Sequence, residues 1–184
     1  VSKYQSPPQS YSGQLIDVGS GTADDFIKVS EAVKGNFVVV EQDLCFDIDG
    51  LFAEYAAAAN AEIQARQYGA KGIVFMSSRP NGLLYRFIGM KTAENDMPQI
   101  VMAREDAKRC IRSLQNGQTL HLDLNIDAEV GGEFVAHNVI AEIQGSEHPE
   151  EIIIIGAHID SWALGTGAND NGSNVSMLID IARQ

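Results

Sequence analysis

Phe37-Val38-Val39-Val40, an Ala-rich stretch from about Leu51 to Tyr68, and Gly72-Ile73-Val74-Phe75-Met76 follow one another along the chain, with Gly69 at the last join. β-Branched and aromatic runs of four or five residues suit strands. The stretch between them is long enough for a helix, and it stops at a glycine, the residue that best tolerates the left-handed turn closing a helix. Phe52, Ala56, Ala59 and Ile63 recur there at helical spacing, which makes them the apolar stripe of a helix expected to pack on a sheet. A strand-helix-strand unit of this length predicts a parallel pair with a right-handed crossover, and so an α/β fold.

Working outward, the residues before this unit read as an extended lead-in from Val1 to Ser12 and a short strand from Gln14 to Val18. A loop or single capped helical turn follows at Thr22 to Phe26. Asp43 to Gly50 reads as an acidic turn. Beyond the unit, Ser77 to Met97 is irregular, with Arg79-Pro80-Asn81-Gly82 as a turn and Leu84 to Ile88 as a short strand candidate; long loops of this kind are often binding surfaces. Pro98 opens a strand at Gln99-Ile100-Val101-Met102, and a helix from Glu105 to Asn116 stops at Gly117. From Thr119 to Asp127, Leu120, Leu122, Leu124 and Ile126 alternate with His121, Asp123, Asn125 and Asp127, the pattern of a half-exposed antiparallel strand. Residues 14 to 127 are therefore expected to share one mixed sheet, with His121 facing solvent. Gly131-Gly132 is the expected domain boundary.

Composition narrows the function. The 184 residues are 45% hydrophobic and 21% charged, an ordinary globular balance. A formal charge of -12 argues against nucleic acid and against anionic membrane surfaces as partners. No apolar stretch reaches the ~18 residues that a membrane-spanning helix needs. The start at Val1 and the lack of a charged-then-apolar leader lead us to expect a processed or excised product. Cys45 and Cys110 lie far apart without metal-like spacing, and the sequence leaves open whether they are bridged.

The chemistry gathers near residue 160. Asn138-Val139-Ile140-Ala141-Glu142-Ile143 and Ile152-Ile153-Ile154-Ile155 flank a turn at Gly145 to Pro149 and read as a hairpin. The four-isoleucine run suits a strand buried on both faces, as in a parallel sheet between helices. It leads into Gly156-Ala157-His158-Ile159-Asp160-Ser161-Trp162, and ligand chemistry collects where such strands end. Gly165-Thr166-Gly167-Ala168-Asn169-Asp170-Asn171-Gly172 then delivers Asp170 to the start of a helix from Ser173, whose Val175, Leu178, Ile179 and Ala182 share a face. A neutral imidazole is a good zinc ligand, Asp160 two residues on can fix its tautomer, and Asp170 can bridge two metals. Glycines let the loop pass close to a metal. His-x-Asp alone is a weak signal, and a purely structural His158 held by Asp160 is the competing reading. His148, beside Pro149 in a turn, reads as solvated, and His137 precedes a strand with no partner in sight.

The block from Gly156 to Trp162, followed by Gly165 to Ser173, resembles the first metal-binding block of the zinc-dependent exopeptidases typified by aminopeptidases and carboxypeptidase Q. Asn138 to Ser146 resembles their lead-in. The Gly35 strand, the Ala-rich helix into Gly69-Ala70-Lys71-Gly72-Ile73-Val74, and Pro98 to Met102 before Glu105-Asp106-Ala107 are similar to the protease-associated domain found in such enzymes. The resemblance implies residues 1–130 as a protease-associated domain and 131–184 as the first strands and helix of a truncated, doubly wound metallo-exopeptidase domain. It implies two zinc ions in the intact enzyme, with His158 as ligand, Asp170 as bridging ligand and Asp160 as the catalytic-site carboxylate that orients them. A peptide substrate, an exported compartment and a homo-oligomer accompany it. The Asp-Ser-Trp continuation leans towards the carboxypeptidase Q side. The family's Glu-Glu pair, further Asp and last His have no counterpart in this block, so the chain by itself is expected to be inactive, and Asn174 stands where a small Gly is usual. Two other classes stay open: a non-catalytic receptor-like homologue, and a stand-alone binding module of the protease-associated type.

Overall fold

The computed structural model describes residues 9–84, 97–127, 135–162 and 165–184. The chain divides into two units, Val1–Glu133 and Phe134–Gln184. Gly131-Gly132 and most of the proposed Leu84–Ile88 strand lie outside the described residues, as do the first eight of the lead-in.

The first unit is a mixed α/β fold. In chain order it contains β1 (Gln9–Asp17), α1 (Ala23–Val33), β2 (Phe37–Val40), α2 (Ile48–Gln67), β3 (Gly72–Met76), β4 (Gln99–Met102), α3 (Arg104–Gln115) and β5 (His121–Ile126). The strands form one sheet in the order β4-β3-β2-β1-β5. Pairs β1–β2, β2–β3 and β3–β4 are parallel, while β1–β5 is antiparallel. Phe37 pairs with Gly72 and Val40 with Phe75, so the strand-helix-strand unit closes as its sequence predicts.

Every residue of β2 and β3 is buried, and their side chains alternate between two cores. Val38, Val40, Ile73 and Phe75 meet Phe26 and Val33 of α1 and Ala58, Ala61 and Ala65 of α2. Phe37, Val39 and Val74 meet Leu15 and, from α3, Ile111, with Leu114 and the inward residues of β5 around them. Helices thus cover both faces, which parallel strands require.

Four expectations change. The lead-in is partly strand: β1 begins at Gln9, and its first half pairs with β5 as Tyr11 with Leu124 and Gly13 with Leu122. The expected single turn at Thr22 is an eleven-residue helix, because Thr22 and Asp25 form a reciprocal capping box and Phe26 and Val33 anchor it in the core. Helix α2 starts earlier, at Ile48, capped by the Asp47 side chain on the Gly50 amide at 2.7 Å.

The stripe on α2 also points the other way. Phe52 and Ile63 are 63% and 61% exposed, while Ala58, Ala61 and Ala65 face the sheet. Alanines win that face because the helix lies so close: a Cβ on Gly21 would stand 2.7 Å from the Ala61 Cβ. Gly21, at φ +79°, supplies both the space and the left-handed turn.

In the second unit, residues 135–162 form no strand among those described. Ile152, Ile153 and Ile154 are 83%, 90% and 88% exposed, contrary to the expected hairpin and buried strand. A strand holds its shape through hydrogen bonds to a neighbour, and the described residues offer this run none. The helix after the glycine loop forms as predicted: α4 spans Ser173–Arg183. Both cysteines are free, Cys45 bonding the Asp47 carbonyl and Cys110 packing beside Ile111. No helix of the described residues is long and apolar enough to cross a membrane.

Phe75→Ala should destabilise the first unit by ~3–5 kcal/mol through cavity formation, whereas Phe46→Ala, at a side chain 85% exposed, should stay within ~0.5 kcal/mol. Urea unfolding checks both. Lys28, Thr22 and Ser20 hold the Asp25 carboxyl well below its usual range, in that order of effect. A lowered pKa in the fold means that its contribution is complete above the unfolded value of 3.8 and lost as pH falls below it. Asp25→Asn should therefore lower stability at pH 7, with the gap to wild type closing as pH drops below about 4.

Candidate metal centre

His158 stands between two aspartates. Its Nδ1 lies 3.0 Å from the Asp160 carbonyl oxygen and 3.1 Å from Asp160 Oδ1. Its Nε2 lies 2.9 Å from Asp170 Oδ1. The expected residues are thus brought together, with Asp160 behind the ring and Asp170 on its far side. Their reach comes from local spacing: Asp160 is two residues along the same segment, and the loop returns Asp170 from ten residues further on.

That return is held by short-range bonds. Gly172 N–H donates to the Gly167 carbonyl at 2.8 Å, the Ser173 hydroxyl to the Asn169 carbonyl at 2.8 Å, and the Ser176 hydroxyl to the Gly172 carbonyl at 2.8 Å. Gly167, at φ +67°, folds against the neighbouring segment so closely that a Cβ there would lie 2.9 Å from the Ser161 side chain. The glycine here provides the left-handed turn and the room for packing on Ser161. The Asp170–Asn171 peptide bond is cis. Asn171 is buried, and the Asn174 amide donates to its side-chain oxygen. Asn174, where a small Gly is usual, therefore clasps the loop rather than crowding it. Two amides three residues apart around Gly172 were the sequence signal for this clasp.

Electrostatics pull on the ring in both directions. The largest single effect is loss of surrounding water, which favours the neutral imidazole. The Asp160 carbonyl bond, then the charges of Asp160 and Asp170 and the Asp160 side-chain bond, outweigh it and raise the pKa above its usual value. Neutral imidazole carries one N–H, yet both nitrogens here face oxygen acceptors. A proton or a cation on the Nε2 side removes that conflict. An imidazole nitrogen and a carboxylate oxygen suit zinc, and atoms 2.9 Å apart can both reach an ion at the usual ~2.0–2.2 Å.

The donor set fits zinc in kind and supplies two ligands. Among the described residues, three potential ligand atoms come together only at His148, Glu150 and Glu151, an exposed acidic turn that does not include His158. His121 is exposed as the alternating pattern suggested, and His137 is exposed as well.

Residues 138–184 match the profile of Peptidase family M28. Over 169 residues the chain is 30% identical to carboxypeptidase Q of Xenopus laevis, covering 90% of this chain and 35% of that protein. It is 26% identical over 178 residues to a probable leucine aminopeptidase 2 of Trichophyton verrucosum, covering 97% of this chain and 33% of that one. The crystal structure of a Peptidase M28 precursor from Shewanella amazonensis aligns with a TM-score of 0.66 at 26% identity, covering 94% of this chain and 41% of that chain. The chain spans about a third of the length of the curated relatives it matches.

Proposed function

We propose that the chain works as part of a di-zinc exopeptidase that removes terminal residues from peptides. The observation that carries this reading is the placing of Asp160 and Asp170 on opposite nitrogens of one imidazole. Asp160 accepts the Nδ1 proton and fixes ring and tautomer, which leaves the Nε2 lone pair directed at the Asp170 side. His158 and Asp170 would then be the residues that hold zinc, Asp170 serving both ions of a pair. Zinc held there would supply Lewis-acid chemistry, polarising a carbonyl and acidifying water. The site is open to water, since the His158 and Asp170 side chains are 53% and 64% exposed. The relatives' names include both a carboxypeptidase and an aminopeptidase, and exopeptidase action is what they share.

In the same proposal, residues 1–130 are the protease-associated accessory domain and 131–184 the opening of the catalytic domain. The accessory domain shapes access to the site or holds a partner. The net charge of -12 disfavours nucleic acid, while the likeness to exopeptidases is what supports a peptide substrate and an exported compartment.

Catalytic zinc takes three protein ligands and keeps an open position. Two defended ligands fall short of that, so the 184-residue chain alone should bind zinc weakly and turn over no peptide. Competition with a chromophoric chelator, beside an exopeptidase assay, measures both. Tight stoichiometric zinc with turnover would overturn the two-ligand reading, and equal zinc binding by wild type and His158→Ala would overturn the site itself. In the active protein, Asp160→Asn should lower zinc affinity or activity by ~10- to 100-fold with an unchanged circular dichroism spectrum.

A further inference from the structure

The chain has three Asn-Gly pairs, at Asn81-Gly82, Asn116-Gly117 and Asn171-Gly172. In such a pair the glycine nitrogen can attack the asparagine side-chain carbonyl carbon, because glycine has no Cβ to obstruct the approach. A new N–C bond closes a five-membered imide and ammonia leaves. Water then opens the imide at either carbonyl, giving aspartate or isoaspartate. The reaction needs water, a glycine N–H that can give up its proton, and a side chain free to reach. The fold treats the three pairs differently. Asn171 is buried, its side-chain oxygen accepts from the Asn174 amide, and the Gly172 N–H is tied to the Gly167 carbonyl at 2.8 Å. Asn116 is exposed, but it closes α3: the N–H groups of Asn116, Gly117 and Gln118 donate to the carbonyls of Arg112, Leu114 and Ser113 at 3.0, 2.9 and 3.0 Å.

Asn81 stands apart from both. It lies exposed in the turn after β3 and, glycines aside, is the one described residue with a left-handed backbone, at φ +66°. Asparagine tolerates that conformation better than most residues. Its side chain makes no hydrogen bond among the described residues. The N–H groups of Asn81 and Gly82 run to a single carboxylate, donating to Glu105 Oε1 at 2.8 Å and Oε2 at 3.1 Å.

We propose that Asn81 is a site of self-modification, in which Glu105 takes the Gly82 amide proton as the imide closes. A general base must lie within hydrogen-bond reach of the proton it removes, and Glu105 Oε2 does. The proton passes on, through water, to the side-chain nitrogen that departs as ammonia. Glu105 is available as a base at neutral pH: bonds from its own amide and from those of Asn81 and Gly82 hold its carboxyl below the usual range. Its place in the exposed first turn of α3 gives water access to the reacting atoms. The product undoes the contact that made it. A carboxylate at residue 81 repels Glu105, and isoaspartate adds a methylene to the main chain, which carries the Gly82 N–H away. The tie between the exit of β3 and the start of α3 is thus released slowly and in one direction.

Peptide mapping by mass spectrometry of the full chain, incubated at neutral pH both folded and in guanidinium chloride, follows all three pairs in one sample. In guanidinium the three should convert at similar rates, since each asparagine precedes glycine. In the folded chain Asn81 should match or exceed its unfolded rate while Asn116 and Asn171 fall well below theirs. Glu105→Gln should slow Asn81 by about 10-fold, less than a buried general base contributes, and leave Asn116 unchanged as the internal control. Glu105→Ala should do the same, and circular dichroism checks that each variant is folded. Chains that have converted at residue 81 should melt at a lower temperature than fresh ones. Folded Asn116 or Asn171 converting as fast as Asn81 would overturn the proposal. So would faster conversion of Asn81 in Glu105→Gln, because Glu105 would then be a guard of the turn and not its base.

Discussion

The first unit depends on one constraint: β2 and β3 are neighbouring parallel strands with no exposed residue on either face. Eight buried side chains alternating up and down need a cover on both sides, and the covers differ in kind. Towards α1 and α2 the sheet offers Val38, Val40, Ile73 and Phe75, and α2 answers with alanines, so the helix lies close. Towards α3 it offers Phe37, Val39 and Val74, and the answer is the bulkier Ile111 and Leu114. Closeness on the first side then dictates other residues. Gly21 accepts the approach of Ala61, and the Phe26 ring stacks on Tyr68 at 5.7 Å, joining the start of α1 to the end of α2.

The second unit holds its functional geometry by different means. Isoleucine is worth ~1.5–3 kcal/mol only when it leaves water. Ile152, Ile153 and Ile154 have not left it, so among the described residues the segment before His158 has no core to fix it. The His158 arrangement rests on bonds between residues two to twelve apart: imidazole to Asp160 and Asp170, Gly172 to Gly167, Asn174 to Asn171. A site built from such bonds can take shape without the layers that a buried strand demands. The His158 and Asp170 side chains are accordingly open to solvent, and Asp160 meets the ring with both its carbonyl and its carboxylate.

Reading periodicity told what α2 is without telling which way it faces. Phe52, Ala56, Ala59 and Ile63 do share a stripe, yet Ala58, Ala61 and Ala65 share another, and hydrophobicity ranked the wrong one first. The sheet selected the smaller side chains because a parallel sheet already filled by Val, Ile and Phe has space for a close helix rather than for large knobs. Phe52 and Ile63 were left on the outside.

Local chemistry in the sequence by itself determined β2, β3 and β4, the alternation of β5, the glycine stops after α2 and α3, and the grouping of His158, Asp160 and Asp170. Each of these follows from side-chain shape, period or spacing over a few residues, which a sequence states directly. Tertiary structure decided the rest. It drew Gln9 to Gly13 into β1 because β5 lay within hydrogen-bonding reach, extended the Thr22 turn into α1 because Phe26 and Val33 found a core, and turned α2 on its alanines. It also left Ile152 to Ile155 outside any strand among the described residues, because a strand is a property of a pair, and apolar character in one run cannot supply the neighbour.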